Sequence, residues 1–428
     1  MKFKRILTFK ISAYRPRFCG FSNNRFNGKD MKVELLAPAG NFSKLKTAFY
    51  FGADAAYIGG KDFSLRSFAD NFTRDEITQA VKFAHSSGKK IYVTANIFAK
   101  NADMSEMEDY LSFLQSAGVD AAIISDSGVF YAARKAAPEL QVHISTQANL
   151  TNKYAVKFWR EQGASRAVLA RELSLEEIEE IHSFVPDMEL EAFVHGAMCI
   201  SYSGRCLLSN YLSGRESNRG ECVQACRWNY SVRKKDALSD SGWLDVEEDG
   251  RGTYILNSKD LNMSAHLKEL EKAGVCSFKI EGRMKSEYYI ATVINAYRRC
   301  MDGGYGKEVE RELLTAAHRD YTTAFALGEN VKTVNYADSQ AKGDCDFIAT
   351  VVGAEEGFAY AEMRGRFKKG ETLEVLSPSD SFGKSFKVEQ VFTRTGEAVD
   401  DCKLVQHVYK INCPYKLQSG DILRRRKI

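Results

Sequence analysis

Long apolar runs, proline and several catalytic signatures are scarce or missing in this sequence. No stretch of 18 apolar residues occurs, which excludes an ordinary transmembrane helix. Only 6 prolines are present among 428 residues, which argues against long disordered linkers. The motifs H-E-x-x-H and G-x-S-x-G, which mark zinc proteases and serine hydrolases, are both absent. No secretion signal is recognisable, so we expect reduced thiols, no membrane partner and a cytoplasmic location.

The net charge of +4 is unevenly distributed along the chain. Residues 1–30 carry eight Lys or Arg and one Asp, so that the remaining 398 residues carry a net charge of −3. The basic stretch lacks periodicity, and Lys10 interrupts its apolar run. We interpret residues 1–30 as a basic extension that is disordered or precedes the true start at Met31, with a targeting sequence as the third alternative.

Apolar runs of strand length alternate with helical patterns from Val33 onward. The predicted strands are 33–37, 55–59, 91–95, 121–125, 142–145, 166–170, 189–194 and 277–281. The predicted helices between them include 42–51, 75–86, 104–116, 128–136, 153–161 and 175–184, and Asn41, Thr73 and Ser174 are suitable N-terminal caps. This α/β pattern predicts a TIM-like (β/α)8 barrel over residues 31–303, with a doubly wound open sheet as the alternative.

Beyond residue 303 the pattern changes. Residues 304–340 predict a helical connector, and residues 341–428 predict a small C-terminal β-barrel domain because short alternating segments are separated by Gly turns. The run Arg424–Lys427 is basic, and we interpret it as a solvated end or as a contact to phosphates.

A Cys-rich insertion at 196–250 follows the seventh predicted strand. Cys199, Cys206, Cys222 and Cys226 fall within 28 residues, with the spacing C-x6-C, x15, C-x3-C. Zinc sites favour two short knuckles, whereas iron–sulfur clusters accept more varied spacing. The spacing therefore favours an iron–sulfur cluster, with zinc and unligated or disulfide-bonded cysteines as alternatives. Its place on a βα connection predicts that the site lies at the catalytic face of the barrel.

Strand parity places polar residues on the predicted inner face of the barrel. The inward sets are His143, Ser145 and Gln147; Glu191, Phe193 and His195; and Lys279, Glu281 and Arg283. A barrel lumen is normally filled by branched apolar residues, so these sets indicate a ligand pocket or a salt-bridged polar core in which Lys279 pairs with Glu281 or Glu191.

Several segments resemble the peptidase U32 (collagenase-like) family. They are ELLAPAGN (34–41), GADAAYIGG (52–60), NRGECVQACRW (218–228), NSKDL (257–261), FKIEGRMKS (278–286) and the signature residues Glu191, Phe193, Gly196, Ala197, Met198, Cys199, Gly204, Cys206 and Ser209. The resemblance spans about residues 31–330, and residues 341–428 resemble the family's C-terminal β-domain. The first 30 residues have no counterpart in the family.

The resemblance implies oxygen-independent RNA hydroxylation or peptidase activity. The closest branch converts the wobble uridine of tRNA to 5-hydroxyuridine with prephenate, and related proteins carry a four-iron, four-sulfur (4Fe-4S) cluster. On this hypothesis tRNA, a small carboxylated donor and an electron-donor protein are the expected partners. The alternatives are a U32-type peptidase, for which a cysteine paired with His195 is conceivable, and a zinc-stabilised RNA-binding or assembly protein.

These arguments assign candidate roles to particular side chains. The catalytic candidates are His195, Glu281 and Arg283; the substrate-binding candidates are His143, Gln147, Arg171, Arg205 and Lys279; and the metal-ligand candidates are Cys199, Cys206, Cys222 and Cys226.

Overall fold

The structure, a computed structural model, describes residues 32–65, 70–228, 258–328, 333 and 341–427. The prediction for residues 1–30 lies outside these residues, as does the later half of the Cys-rich insertion. In the described ranges, no helix is both long enough and apolar enough to cross a bilayer.

Strands and helices alternate as the sequence predicts. The strands are β1 (Glu34–Pro38), β2 (Ala55–Gly59), β3 (Lys90–Ala95), β4 (Ala121–Ile124), β5 (Val142–Ile144), β6 (Arg166–Val168), β7 (Glu189–Ala197), β8 (Asp260–Asn262), β9 (Val275–Ile280) and β10 (Tyr321–Thr322). The helices are α1 (Phe42–Tyr50), α2 (Arg74–His85), α3 (Met104–Ser116), α4 (Ser127–Ala136), α5 (Lys153–Glu161), α6 (Leu175–Phe184), α7 (Leu208–Ser213), α8 (Leu267–Lys272), α9 (Glu287–Gly303) and α10 (Lys307–Leu313).

The predicted (β/α)8 barrel is confirmed. Strands β1 to β7 pair in parallel with their neighbours, and β9 pairs in parallel with both β1 and β7, which closes the cylinder. Strand β8 adds to β7 in antiparallel fashion, and β10 pairs with β8. The segment 304–340, predicted as a helical connector, therefore contains a strand of the barrel sheet as well as α10.

Local capping explains where several helices begin. The side chains of Asn41, Thr73 and Ser174 each accept a hydrogen bond from a backbone N–H in the first turn of α1, α2 and α6. Glu76 and Glu177 accept in return from the backbone N–H of Thr73 and Ser174, which completes two capping boxes. Each cap stabilises its helix by about 1 kcal/mol.

The C-terminal β-domain is an antiparallel sheet with its own hydrophobic core. Its strands are β11 (Cys345–Glu355), β12 (Phe358–Met363), β13 (Phe367–Lys368), β14 (Thr372–Leu376), β15 (Ser385–Lys387), β16 (Val391–Phe392), β17 (Asp401–Cys402), β18 (Val408–Asn412) and β19 (Ile422–Arg426). Seven of these form one curled sheet in the order β15-β14-β19-β11-β12-β18-β16, while β13 pairs with β17. The prediction of a small β-domain after the barrel is confirmed.

The basic run at 424–427 differs from the expectation of a solvated end. Strand β19 lies between β11 and β14, so Arg424 is only 1% exposed. Its guanidinium donates to Glu312 of α10 (2.6 Å) and to Glu374 of β14 (2.9 Å). The expectation is wrong for Arg424 because an inner strand buries every second side chain against the neighbouring element.

Candidate functional site

A cavity of about 430 Å³ opens at the carboxyl ends of the barrel strands. Its walls come from the ends of β2 to β6, from the segment after β7 and from the loop after β9. All parallel strands of a barrel end at the same rim, so residues distant in sequence converge there.

Three of the four clustered cysteines line this cavity. Cys199, Cys222 and Cys226 are lining residues, and Cys206 lies beside them, where its carbonyl accepts a hydrogen bond from Ser217. All four are free thiols. Burial raises the pKa of Cys226, the Arg227 cation opposes this rise, and the thiols of Cys199, Cys222 and Cys206 act in the same direction as burial.

Short polar contacts hold the cysteine segment in place. Ser209 on α7 donates its hydroxyl to Cys222 Sγ (3.9 Å) and accepts from the Val223 N–H (3.3 Å). The backbone N–H of Gln224 also donates to Cys222 Sγ (3.4 Å). Hydrogen bonds to ligand sulfurs are one of the ways in which proteins tune iron–sulfur clusters.

The cysteines suit a cluster as a set of donors. In the described part of the chain, no three His, Cys, Asp or Glu side chains are gathered as they would be around a single metal ion. Four thiols are a ligand set of structural zinc sites. They are also the ligand set of 4Fe-4S clusters, so the donor chemistry of the segment fits either group.

The cavity is strongly cationic. Five basic side chains and one carboxylate, that of Glu281, line it; the basic residues are Arg171, Arg227, Lys279, Arg283 and Lys285. Arg171 lies over the Phe193 ring, 3.9 Å from its centroid, and donates to the Ala197 carbonyl (2.8 Å). Its guanidinium is 3.6 Å from Glu281. The predicted site residues Arg171, Lys279, Glu281 and Arg283 are thus brought together.

Arg283 is buried in the cavity wall. Its guanidinium donates to the hydroxyls of Ser64 (2.8 Å) and Thr94 (3.0 Å) and to the Asn71 amide oxygen (2.6 Å). A Cβ at Gly59 would lie 2.3 Å from Arg283 Nη2, so the end of β2 must be glycine for the guanidinium to fit. The orientation of Arg283 is therefore fixed by parts of the chain about 200 residues away in sequence.

Below the cavity, the lumen is a salt-bridged polar core. Lys279 pairs with Glu191 (2.6 Å), and Arg166 pairs with Glu191 (3.1 Å) and Glu34 (2.7 Å). The salt-bridged core that the sequence offered as an alternative is therefore present, through Lys279 and Glu191, and Lys279 also lines the cavity above it.

His143 lies in this lower layer and does not line the cavity. Its ring packs edge-on against Tyr92, with the centroids 4.6 Å apart. Burial lowers the pKa of His143 well below its usual value, and the cations of Arg166 and Lys279 act in the same direction. The imidazole is therefore neutral at physiological pH.

His195 does not face the lumen, and the parity argument is wrong for this residue. The pairing of β7 with β9 shifts register between Phe193 and His195, so His195 lies opposite the outward-facing Ile280. This β-bulge adds one residue to β7 and reverses the alternation beyond it. His195 is only 1% exposed and lies 3.3 Å from the Tyr297 hydroxyl on α9, whereas the exposed Cys199 lines the cavity.

Gln147 and Arg205, which were also predicted to bind substrate, lie in different places relative to the cavity. Gln147 lines the cavity, as parity predicts. Arg205 is exposed and is not among the lining residues, because it lies in the turn before α7 rather than on a strand.

Sequence reasoning did not select Arg227 and Lys285, although both line the cavity. Burial lowers the pKa of Lys285, an effect that the Asp260 carboxylate opposes. Asp260 itself is held by Arg319 (3.1 Å), which joins β8 to the segment before β10. The sequence did mark both residues, because Arg227 lies in the family-like segment NRGECVQACRW and Lys285 lies in the family-like segment FKIEGRMKS.

Comparison with known proteins confirms the resemblance seen in the sequence. Peptidase family U32 matches residues 40–335, and the peptidase family U32 C-terminal domain matches residues 343–424. The tRNA hydroxylation protein P1 of Bacillus subtilis (strain 168) is 41% identical over 416 residues, covering 94% of this chain and 97% of that protein. The tRNA hydroxylation protein P of Escherichia coli (strain K12) is 37% identical over 414 residues, covering 86% of this chain and 91% of that protein.

A ribosomal RNA enzyme is also similar. The 23S rRNA 5-hydroxycytidine C2501 synthase of Escherichia coli (strain K12) is 36% identical over 318 residues, covering 73% of this chain and 46% of that protein. The family match extends through both the barrel and the C-terminal β-domain. The chain therefore belongs to peptidase family U32.

Proposed function

We propose that this protein is an RNA-modifying enzyme that hydroxylates the wobble uridine of tRNA to 5-hydroxyuridine. Prephenate is the proposed hydroxyl donor, and Cys199, Cys206, Cys222 and Cys226 are the proposed ligands of a 4Fe-4S cluster. Relatives that are named for tRNA hydroxylation and for rRNA hydroxycytidine synthesis support the reaction class.

The single observation that carries the proposal is the composition of the cavity. Three thiols and five cationic side chains surround a space large enough for a small carboxylated molecule. Arginine suits carboxylates because its planar fork donates two parallel hydrogen bonds. Residues 31–428 carry a net charge of −3, so the positive charge of this cavity contrasts with the average of the chain that surrounds it.

The side chains of the cavity have distinct roles in this proposal. Arg171, Arg283 and Lys285 bind the donor carboxylates, and the rings of Phe193 and Tyr57 provide flat walls for the uracil ring. Lys279 forms an ion pair with Glu191 (2.6 Å) and holds its ammonium group at the bottom of the cavity. When bound, the cluster supplies one-electron transfer beside the cavity.

The peptidase alternative receives no support from the arrangement of His195. A cysteine nucleophile requires a base within hydrogen-bonding reach. His195 instead contacts Tyr297 on the outer side of the barrel sheet, while Cys199 faces the cavity.

Substitution of one proposed ligand tests this function. We expect Cys222→Ser to lose iron, sulfide and tRNA hydroxylation together, because Cys222 is one of the four proposed thiolate ligands of the cluster. Cys276→Ser is the matched control, since Cys276 donates to the Leu190 carbonyl below the cavity and serine can replace that bond. Each variant would be purified anaerobically for iron, sulfide and zinc analysis and expressed in a strain lacking the gene, whose tRNA nucleosides are then quantified by mass spectrometry. Full hydroxylation by a Cys222→Ser protein without iron would overturn the proposal.

A further inference from the structure

Two segments that contribute lining residues to the cavity, 198–228 and 282–285, also carry large apolar side chains that are exposed to solvent. There are six of them, which we call the apolar rim: Tyr202, Leu207, Tyr211, Leu212, Trp228 and Met284. Tyr211 is 79% exposed and Trp228 is 42% exposed, so neither ring contributes to a core. Large apolar side chains grouped in this way at a cavity mouth mark a binding surface.

The apolar rim is continuous with the cavity. Met284 lines the cavity and is itself 50% exposed. Tyr202 precedes the lining residue Ser203, and Trp228 follows the lining residue Arg227. Helix α7, which carries Tyr211, packs against the turn at 225–227. A ligand that fills the cavity and extends out of its mouth therefore contacts these side chains.

Positive charge accompanies the exposed rings. Arg205 is exposed and has no ion-pair partner among the residues that the structure describes, and Arg227 and Lys285 lie at the cavity edge. The nearby carboxylate of Glu216 is already engaged by Lys100 (2.8 Å) and Arg219 (3.3 Å). Flat aromatic faces together with cations are the combination that binds single-stranded nucleic acid.

We infer that the apolar rim holds unpaired nucleotides on either side of the target base, with Tyr211 and Trp228 as stacking platforms. This inference rests on the proposed function, because the target base enters the same cavity. An A-form duplex keeps its base faces stacked internally, whereas loop nucleotides can be splayed out onto aromatic side chains.

Fluorescence anisotropy with the full-length protein tests the inference without requiring turnover. The probes are a labelled RNA hairpin with an unpaired uridine in its loop and the same strand annealed to its full complement. We expect Tyr211→Ala and Trp228→Ala each to weaken hairpin binding by about 5- to 150-fold, the range for loss of one stacked base. Trp228→Phe keeps an aromatic face and should restore most of the affinity. Tyr131→Ala on α4 is the matched control, since Tyr131 is 74% exposed and lies outside the apolar rim.

The outcomes separate this inference from the proposed function. Hairpin affinities of Tyr211→Ala and Trp228→Ala equal to that of Tyr131→Ala would overturn the inference, as would equal affinity for hairpin and duplex. Neither result bears on whether the protein hydroxylates tRNA, which the nucleoside analysis measures separately. Loss of hairpin affinity in both variants supports the inference even if the nucleoside analysis finds no hydroxylation.

Discussion

At the scale of single residues, the cavity depends on side chains whose orientation is fixed by hydrogen bonds to distant parts of the chain. Arg283 is 4% exposed, and its guanidinium donates hydrogen bonds to Ser64, Thr94 and Asn71. Because these three acceptors are fixed before a ligand arrives, the guanidinium is preorganised for an anion, which lowers the cost of ordering it on binding.

Arg283→Lys is predicted to weaken prephenate binding while leaving iron content unchanged. Lysine keeps the positive charge but lacks the planar guanidinium that donates two parallel hydrogen bonds to a carboxylate. Loss of one charged hydrogen bond raises Kd by about 10- to 100-fold. Equilibrium dialysis against prephenate under anaerobic conditions measures this change. Arg160→Lys, on the outer helix α5, is the control and should bind prephenate like the wild type. Wild-type affinity in Arg283→Lys would make Arg283 a purely structural residue.

At the scale of elements, the bulge in β7 separates two environments along one strand. Glu191 and Phe193 face the lumen, whereas His195 packs among Tyr289, Tyr297 and Tyr321. Gly196 follows with a φ of +107°, and a Cβ there would lie 2.6 Å from the Glu281 carbonyl. The glycine at position 196, one of the signature residues of the family, is thus explained by the close approach of β7 to the end of β9.

The same bulge predicts a dependence of stability on pH. Burial lowers the pKa of His195 to about 3, and the Asp260 carboxylate opposes this only partly. Below about pH 6.5 the unfolded chain binds a proton that the folded chain does not, so the free energy of unfolding falls as the pH falls. The contribution of His195 amounts to about 1.4 kcal/mol per pH unit and is constant above pH 6.5.

His195→Gln should therefore flatten the decline of stability between about pH 6.5 and pH 4.5. Urea denaturation of the wild type and the variant across this range gives the slope of the free energy of unfolding against pH for each protein. The difference between their free energies of unfolding at neutral and mildly alkaline pH, where His195 contributes no slope, serves as the internal reference. An unchanged slope in His195→Gln would show that His195 is already protonated in the folded protein.

At the scale of the whole molecule, a buried ion-pair network joins the barrel to the C-terminal β-domain. Arg424 on β19 pairs with Glu312 on α10 and with Glu374 on β14, and all three side chains are at most 9% exposed. Arg426 also binds Glu374 (2.7 Å). Charges buried in this way are strongly destabilising once one partner is lost, because the remaining charges stay desolvated.

Arg424→Met is predicted to lower the free energy of unfolding by about 3–5 kcal/mol. The matched control is Arg425→Met on the same strand, whose partners Glu371 and Asp346 are partly exposed, and there we expect less than about 1 kcal/mol. Denaturant titration of both variants gives the two values. Similar losses in the two variants would contradict a special role for the buried network.

The sequence by itself determined the order and type of the main elements. The strands and helices of the barrel, and the caps at Asn41, Thr73 and Ser174, follow from patterns that repeat within a few residues. Local hydrogen bonding and side-chain periodicity are properties of short segments, so they can be read without knowing the rest of the chain. The position of the cysteine segment after the seventh strand follows in the same way.

Tertiary structure alone decided which residues reach the cavity. The outward turn of His195 depends on the register between β7 and β9, whose paired residues Phe193 and Lys279 are far apart in sequence. The burial of Arg424 likewise depends on β19 lying between two other strands. A single bulge or an inner strand position reverses the environment of a side chain without altering its local sequence pattern, because register and neighbours are set by long-range packing.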